Sequence, residues 1–421
     1  MIELAQEPNW LGEDSKLAKP NLESSGEPVD FQYKTPVRLL SKPVAIALCG
    51  VALLLSGCDF NTNVDVTGTG IENITPPLAP DSSPDTALAV SVSAIESDNP
   101  NGRIADILKQ GFDQQYFHGV ALAMKSDQVL YKGAIGAADE ETGEESDSKT
   151  RFVLCSLSKT FTQVAILKLV DQGRLDLDKT LAHYRPDFQA DIAQKITIRQ
   201  LLQMRAGLPR EIHEDRRGVT YDAKGFAGPY LDGLSDVVFE TEPGTKKSYS
   251  NLGYWILGAV IETVTEQPYE SALRTLVFDP LGLTDTGLIP VNRDALAKPH
   301  VWQDDRWIIH EKKFPIRSRY SSGALVSSLD DLTQFYRSFW SDALLSASSR
   351  RLFFNKFASD GPDLPRTYRV IGYIPGHTNM IMLDLETDTL VVALNNADIM
   401  PANRFLEMVQ TIQAEAIASG K

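Results

Sequence analysis

CSLSKTFTQVAILKLVDQG, residues 155–173, carries Ser156-Leu157-Ser158-Lys159 directly ahead of a run that is apolar on nearly every side until Lys168. A helix that is apolar all round is a buried helix, and Gly173 suits its C-terminal cap. Ser156 then stands at the N-terminal end and shares a helix face with Lys159, three residues on. A serine hydroxyl becomes a nucleophile when a base takes its proton. A lysine can be that base when burial and nearby positive potential lower its pKa. The helix N-terminus also favours negative charge developing at the serine oxygen. The plainer alternative is Ser156 as an N-cap and Lys159 as a surface residue. Spacing alone does not decide, because Ser146-Asp147-Ser148-Lys149 repeats the pattern within the charged stretch EETGEESDSKT. There it reads as an exposed turn.

A second stretch, SYSNLGYWILGAVIETV at 248–264, places Tyr249-Ser250-Asn251 ahead of another apolar helix. A phenol beside a lysine is drawn toward phenolate and can shuttle protons. Asn251 could hold both the lysine and a substrate carbonyl through its amide. The alternative is a packed tyrosine with Asn251 as the helix N-cap.

Around these stretches the hydrophobic period sketches an α+β fold. RIADILKQGFDQQYF, 103–117, reads as an amphipathic helix. GVALAMKSDQVLYKGAIGAAD, 119–139, reads as a hairpin turning at Ser126–Gln128, and MIMLDLETDTLVVALNN, 380–396, as another. Residues 401–418 are helical in pattern. Both ends of the domain thus supply an antiparallel sheet and the middle supplies a mostly helical lobe, with a site expected where the two meet.

Taken together, the motifs resemble the serine β-lactamase-related family, which includes class C β-lactamases, family VIII esterases and D-alanyl-D-alanine carboxypeptidases. FVLCSLSKTFTQVAILKLVDQGRLDLD, ITIRQLLQMRAGLP, EPGTKKSYSNLGYWILGAVIETV, SSGALVSSLDDLTQF and PGHTNMIMLDLETDTLVVALNN follow the family pattern in order, from about 103 to 397. The resemblance implies the β-lactamase/transpeptidase-like fold and an acyl-enzyme mechanism. Ser156 would attack a carbonyl, Lys159 and Tyr249 would manage its proton, and Asn251 would position the substrate. The oxyanion hole would be two backbone N–H groups, that of Ser156 and that of Tyr373, which follows Gly372.

The pattern breaks at the third motif. Where the family has Lys-Thr-Gly or His-x-Gly, this chain has Val370-Ile371-Gly372. Strand alternation sends the adjacent Arg369 to the opposite face, and His377 follows the turn at Pro375-Gly376. Met204-Arg205-Ala206-Gly207 replaces a His-Thr-Ser-Gly-like run. A substrate without a carboxylate would suffer least from these changes. The expectation is therefore a serine hydrolase acting on an ester or amide, as esterase, β-lactamase or D,D-peptidase. The alternative, resting on Val370, is a catalytically weak or inactive binding protein on the same fold.

Bulk properties bound the rest. The chain has 421 residues, of which 43% are hydrophobic, enough for a sizeable core, and a formal net charge of -15. No basic surface for nucleic acid is present. No zinc-type spacing or Gly-rich phosphate loop occurs, so neither metal nor organic cofactor is expected. Cys49, Cys58 and Cys155 do not form a disulfide framework. The 15-residue apolar run PVAIALCGVALLLSG, 43–57, follows Arg38 and Lys42. It is short for a membrane span and fits a secretory signal. Leu55-Ser56-Gly57-Cys58 resembles a bacterial lipobox, which implies cleavage before Cys58 and lipid on its thiol. The expected organisation is a mis-annotated or disordered extension at 1–36, with translation starting near Val37. A lipoprotein signal at 37–57 follows, then a solvated tether at 58–101 and the hydrolase domain at 102–421. The domain would be tethered by lipid in a bacterial cell envelope, facing the periplasm or the exterior, and would meet a small-molecule, peptide or ester substrate there.

Overall fold

The computed structural model describes residues 102–211, 224–227, 237–290, 296–310, 316–357, 367–399 and 402–419. The expected signal, tether and lipidated Cys58 lie outside the described residues. So does most of the segment just before the third motif.

Among the described residues, the largest sheet has five antiparallel strands: β1 (Gly119–Lys125), β2 (Gln128–Ile135), β3 (Thr367–Ile374), β4 (His377–Asp384) and β5 (Thr389–Asn395), in the spatial order β3-β4-β5-β1-β2. The two ends of the domain meet at its centre, where Gly119 pairs with Asn395 and Lys125 with Thr389. Strand side chains alternate between faces. Val120, Leu122 and Met124 enter the larger core, while Ala121 and Ala123 enter a second one. Both faces are covered, which is why these strands read as nearly continuous apolar runs.

One face carries two helices, α1 (Gly102–Asp113) and a C-terminal helix (Asn403–Ala418). Ile104, Leu108, Phe405, Val409 and Ile412 pack there against the sheet. The expected first helix stops four residues early. Gln115 takes φ +68° and the chain turns, so that Phe117 enters the core ahead of β1. The expected first hairpin is also split. Gly136, at φ +86°, ends β2, and Ala137–Asp139 pairs instead with Glu144–Glu145 in a separate ribbon.

The other face meets the helical lobe. Its centre is α2 (Ser158–Asp171), buried from Ser158 through Leu169 at all but two positions, Gln163 and Lys168. Gly173 closes it at φ +67°, with Gly173 N–H donating to Val170 O and Arg174 N–H to Leu169 O, both at 2.9 Å. This is the Gly-terminated cap that the sequence predicts. Against α2 pack α3 (Asn251–Thr265) and α4 (Leu329–Arg337). Phe161 of α2 stacks on Phe335 of α4 with centroids 4.0 Å apart. Fully burying one such ring is worth about 1.5–3 kcal/mol. No helix among the described residues is long and apolar enough to cross a membrane.

Candidate active site

The chain reaches Ser156 from a short strand, Phe152–Val153, whose neighbour is Leu325–Ser327. Leu154 N–H donates to Leu325 O at 2.8 Å. The backbone then turns sharply: Cys155 adopts φ +53°, and Cys155–Leu157 forms a 3₁₀ turn that runs into α2. A left-handed, non-glycine residue is a strained element, and such strain persists where its surroundings over-determine it. Here the Cys155 side chain is packed among Val153, Ala324, Val326 and Ile374. Burial pushes its thiol well above the ordinary range, so it is an inert packing residue.

Ser156 does not cap α2. Its Oγ lies 2.7 Å from the Tyr249 hydroxyl and receives a hydrogen bond from Lys159 Nζ at 3.2 Å. Lys159 is buried, with 5% of its surface exposed, which removes the surface-residue alternative. Its ammonium also donates to Ser322 O at 2.7 Å and lies 4.9 Å from the Tyr249 ring centroid. Burial lowers its pKa; Tyr249 opposes that shift, and Arg319 and Arg210 add to it. Burial alone would raise the Tyr249 pKa, but Lys159, the Ser156 hydrogen bond and Arg210 outweigh it and hold the phenol below its ordinary value.

The second Ser-x-x-Lys behaves differently. Lys149 is exposed in a turn whose N–H groups at Lys149 and Thr150 bond Asp147 Oδ1. Ser146, however, is buried rather than exposed.

Asn251 lines the cleft but departs from expectation twice. The N-cap of α3 is Ser250, whose Oγ accepts from Gly253 N–H at 3.0 Å. The Asn251 amide does not hold Lys159 among the described residues. Its Nδ2 donates to Glu211 Oε1 at 2.7 Å, and the Ser322 carbonyl takes the lysine instead.

Gly372 sits where β3 crosses the Ser156 turn. A Cβ there would meet Leu154 O at 2.4 Å and Cys155 Cβ at 3.1 Å, so only glycine fits. Pro375-Gly376 forms the tight turn to β4, with Gly376 at φ +84°. Ile374 pairs with His377 across it. Pairs in an antiparallel hairpin alternate between hydrogen-bonded and open. Tyr373, one residue back from the turn pair, therefore turns its amide outward from β4, along the free edge of the sheet. Tyr373 lines the same cleft as Ser156. Val370 is half-buried against the larger core, and His377 opens β4 as a buried strand residue that does not line the cleft.

Four polar residues among those that line the cleft had no role in the sequence reading: Arg210, Glu211, Arg319 and Ser322. Arg319 Nη1 pairs with Glu211 Oε1 at 2.5 Å, and the Arg210 guanidinium lies 5.3 Å from the Tyr249 ring. Trp255 of α3 donates from Nε1 to Arg319 O and Ser322 Oγ, both at 2.9 Å. It pins the loop that holds Lys159. Among the described residues no cluster of metal-ligating side chains occurs.

The beta-lactamase family model matches residues 104–410. Esterase EstB of Burkholderia gladioli is 30% identical over 231 residues, covering 51% of this chain and 59% of that one. Penicillin-binding protein 4 of Amycolatopsis lactamdurans is 33% identical over 181 residues, covering 42% and 46%. The chain thus spans about half the length of these curated relatives. A D-amino acid amidase from Ochrobactrum anthropi SV3 shares the fold, with a TM-score of 0.62 at 22% identity, over 76% of this chain and 99% of that one. The family model spans well over half of the chain, and the chain belongs to the beta-lactamase family.

Proposed function

We propose that this protein is a serine hydrolase that cleaves an ester or amide through an acyl-enzyme, with Ser156 as nucleophile. The observation that carries the reading is the contact of Ser156 Oγ with both Tyr249 Oη and the buried Lys159 Nζ, at 2.7 and 3.2 Å. Those distances lie within proton-transfer reach. The Lys159–Tyr249 pair takes the serine proton as Oγ bonds to the substrate carbonyl carbon. The resulting oxyanion is held by the N–H groups of Ser156 and Tyr373. Collapse breaks the bond to the leaving alkoxide or amine, which takes the proton back from the pair. Water, deprotonated by the same pair, then attacks the acyl carbonyl and releases the acid and free Ser156. The relatives' names, an esterase and a penicillin-binding protein, support hydrolysis of an ester or peptide-type substrate.

A fluorophosphonate tests this reading. One adduct on the Ser156 peptide, absent in Ser156→Ala, is expected; a folded protein that takes no label there refutes it. The competing reading, a binding protein of low activity, is favoured by the apolar Val370 at the third motif, and such a result would support it.

Lipid attachment at Cys58 and residence in a bacterial cell envelope belong to the same proposal. They are supported by the basic flank, the 15-residue apolar run and Leu55-Ser56-Gly57-Cys58. Cys58→Ala should move the protein from the membrane fraction to the soluble fraction of its native cells. A variant that stays in the membrane fraction, or a wild-type N-terminal peptide that begins upstream of Cys58, overturns it.

A further inference from the structure

The wall of the cleft opposite Lys159 has an unusual polarity. Asn251 Nδ2 donates to Glu211 Oε1 at 2.7 Å, and the same oxygen receives Arg319 Nη1 at 2.5 Å. A carboxylate accepts and does not donate, so it fixes which end of the Asn251 amide faces it. One N–H of the NH₂ end is taken by the carboxylate, and the carbonyl end is turned away from it. Among the described residues no hydrogen bond reaches Asn251 Oδ1, and Asn251 lines the cleft beside Ser156. The cleft therefore shows a substrate an acceptor at this position, where a freely turning asparagine could offer either end.

We propose that the Glu211–Arg319 pair locks Asn251 as a hydrogen-bond acceptor, and that the acyl group this site prefers carries a hydroxyl on the carbon next to the scissile carbonyl. This rests on Ser156 as the nucleophile. Asn251 and Ser156 line the same cleft, and Tyr249, two residues before Asn251, touches Ser156 Oγ, so the acceptor belongs to the wall that an acyl group on Ser156 meets. An acyl chain with a donor there satisfies Oδ1. One with an acceptor alone leaves two lone pairs facing each other, and an unsatisfied acceptor is penalised once the cleft closes over it. Charge selects among donors. Among the described residues that line the cleft, Arg210 and Arg319 accompany Glu211 as the single carboxylate, with the buried Lys159 bonded to Ser156. The surplus is positive, so a neutral hydroxyl suits the wall better than an ammonium. Glu211 is a positioning residue: it acts on the substrate through Asn251.

Two p-nitrophenyl esters test the proposal, the 2-hydroxypropanoate and the near-isosteric 2-fluoropropanoate, each rate divided by that of hydroxide. The wild-type protein should favour the hydroxy ester in kcat/KM by about tenfold or more, the effect of one hydrogen bond of about 1.4 kcal/mol. In Glu211→Gln the amide at 211 can face either end of Asn251, so the ratio should fall toward one. Glu211→Asp, which keeps a carboxylate, should restore part of it. The ratio within one protein cancels any general loss of activity, and the wild-type ratio needs no variant. A wild-type ratio near one, with Ser156 still labelled by fluorophosphonate, overturns this proposal and leaves the nucleophile standing. A ratio unchanged in Glu211→Gln overturns the lock. Failure of both turnover and labelling overturns the nucleophile reading, and this one with it.

Discussion

Tyr249 Oη and Ser156 Oγ lie 2.7 Å apart although 93 residues separate them in the chain. Two helix starts, those of α2 and α3, are brought tip to tip by the packing of their apolar bodies. The buried Lys159 ammonium sits beside both groups. Chemistry at this point depends on a lysine kept out of water, and the first prediction follows from that.

Lys159→Met should lower kcat/KM on an activated ester by about 100-fold or more, the usual effect of losing general acid–base help. Stability should hold or rise, because a desolvated ammonium leaves the core and a side chain of similar length fills its place. Thermal denaturation beside ester kinetics checks both. A variant that keeps its activity would place the base elsewhere.

Of the 13 tyrosines in the chain, Tyr249 is held below its ordinary value, whereas Tyr131, Tyr368 and Tyr373 are pushed up to about 12 by burial. A lowered pKa means that phenolate forms earlier as pH rises. Ultraviolet difference titration should show one early ionisation that Tyr249→Phe removes. The sign for catalysis is the same: acid protonates the base, so kcat/KM should fall as pH falls through the lowered pKa. An early step that survives in Tyr249→Phe assigns it to another phenol.

Gly372→Ala should cost activity and stability together. The new methyl would lie 2.4 Å from Leu154 O, so β3 or the Ser156 turn must move. Overpacking of this kind costs about 1–3 kcal/mol, and displacement of the Tyr373 amide should cut kcat more than it raises KM. A melting temperature and a kcat equal to wild type would show that the strand has slack there.

Val370→His should raise turnover of a penicillin relative to a neutral ester, because it restores an imidazole at the third motif. Val370 is only half-buried, so the ring has room to reach the cleft edge. If the ratio of the two rates does not change, the carboxylate-binding wall is built from other residues.

Much of this was legible in the residues. The all-round apolar pattern of 160–167 gave a buried helix, Gly173 gave its end, and the Ser156–Lys159 spacing put both groups on one face. The 248–264 stretch offered the Tyr249 phenol, and the resemblance added Gly372, Tyr373 and the order of the motifs. What escaped was set by contacts distant in sequence. The carbonyl that holds Lys159 belongs to Ser322, and a main-chain acceptor leaves no trace in side-chain chemistry. Glu211 and Arg319 meet across 108 residues, and no local period marks either one. The turn of Asn251 toward Glu211 came from that same neighbour, while the cap fell to Ser250, whose Oγ accepts from Gly253 N–H. The early stop of α1 had a related cause. Its periodicity continued to Phe117, but the demand of the sheet core for that ring outweighed helix propensity.

The sheet has a consequence in time as well as in space. Its central pairing joins β1, near the start of the domain, to β5, near its end, and His118 N–H bonds Asn395 Oδ1 across 277 residues. Contacts of such sequence separation pay loop-closure entropy before they gain anything, and they slow folding. While β4 and β5 remain unsynthesised, β1 has no partner on one side, and β3, which faces Ser156, is not joined to the sheet. A ribosome-bound chain therefore carries the serine long before it carries a site. Reactivity switches on in one late step, when the C-terminal strands find β1.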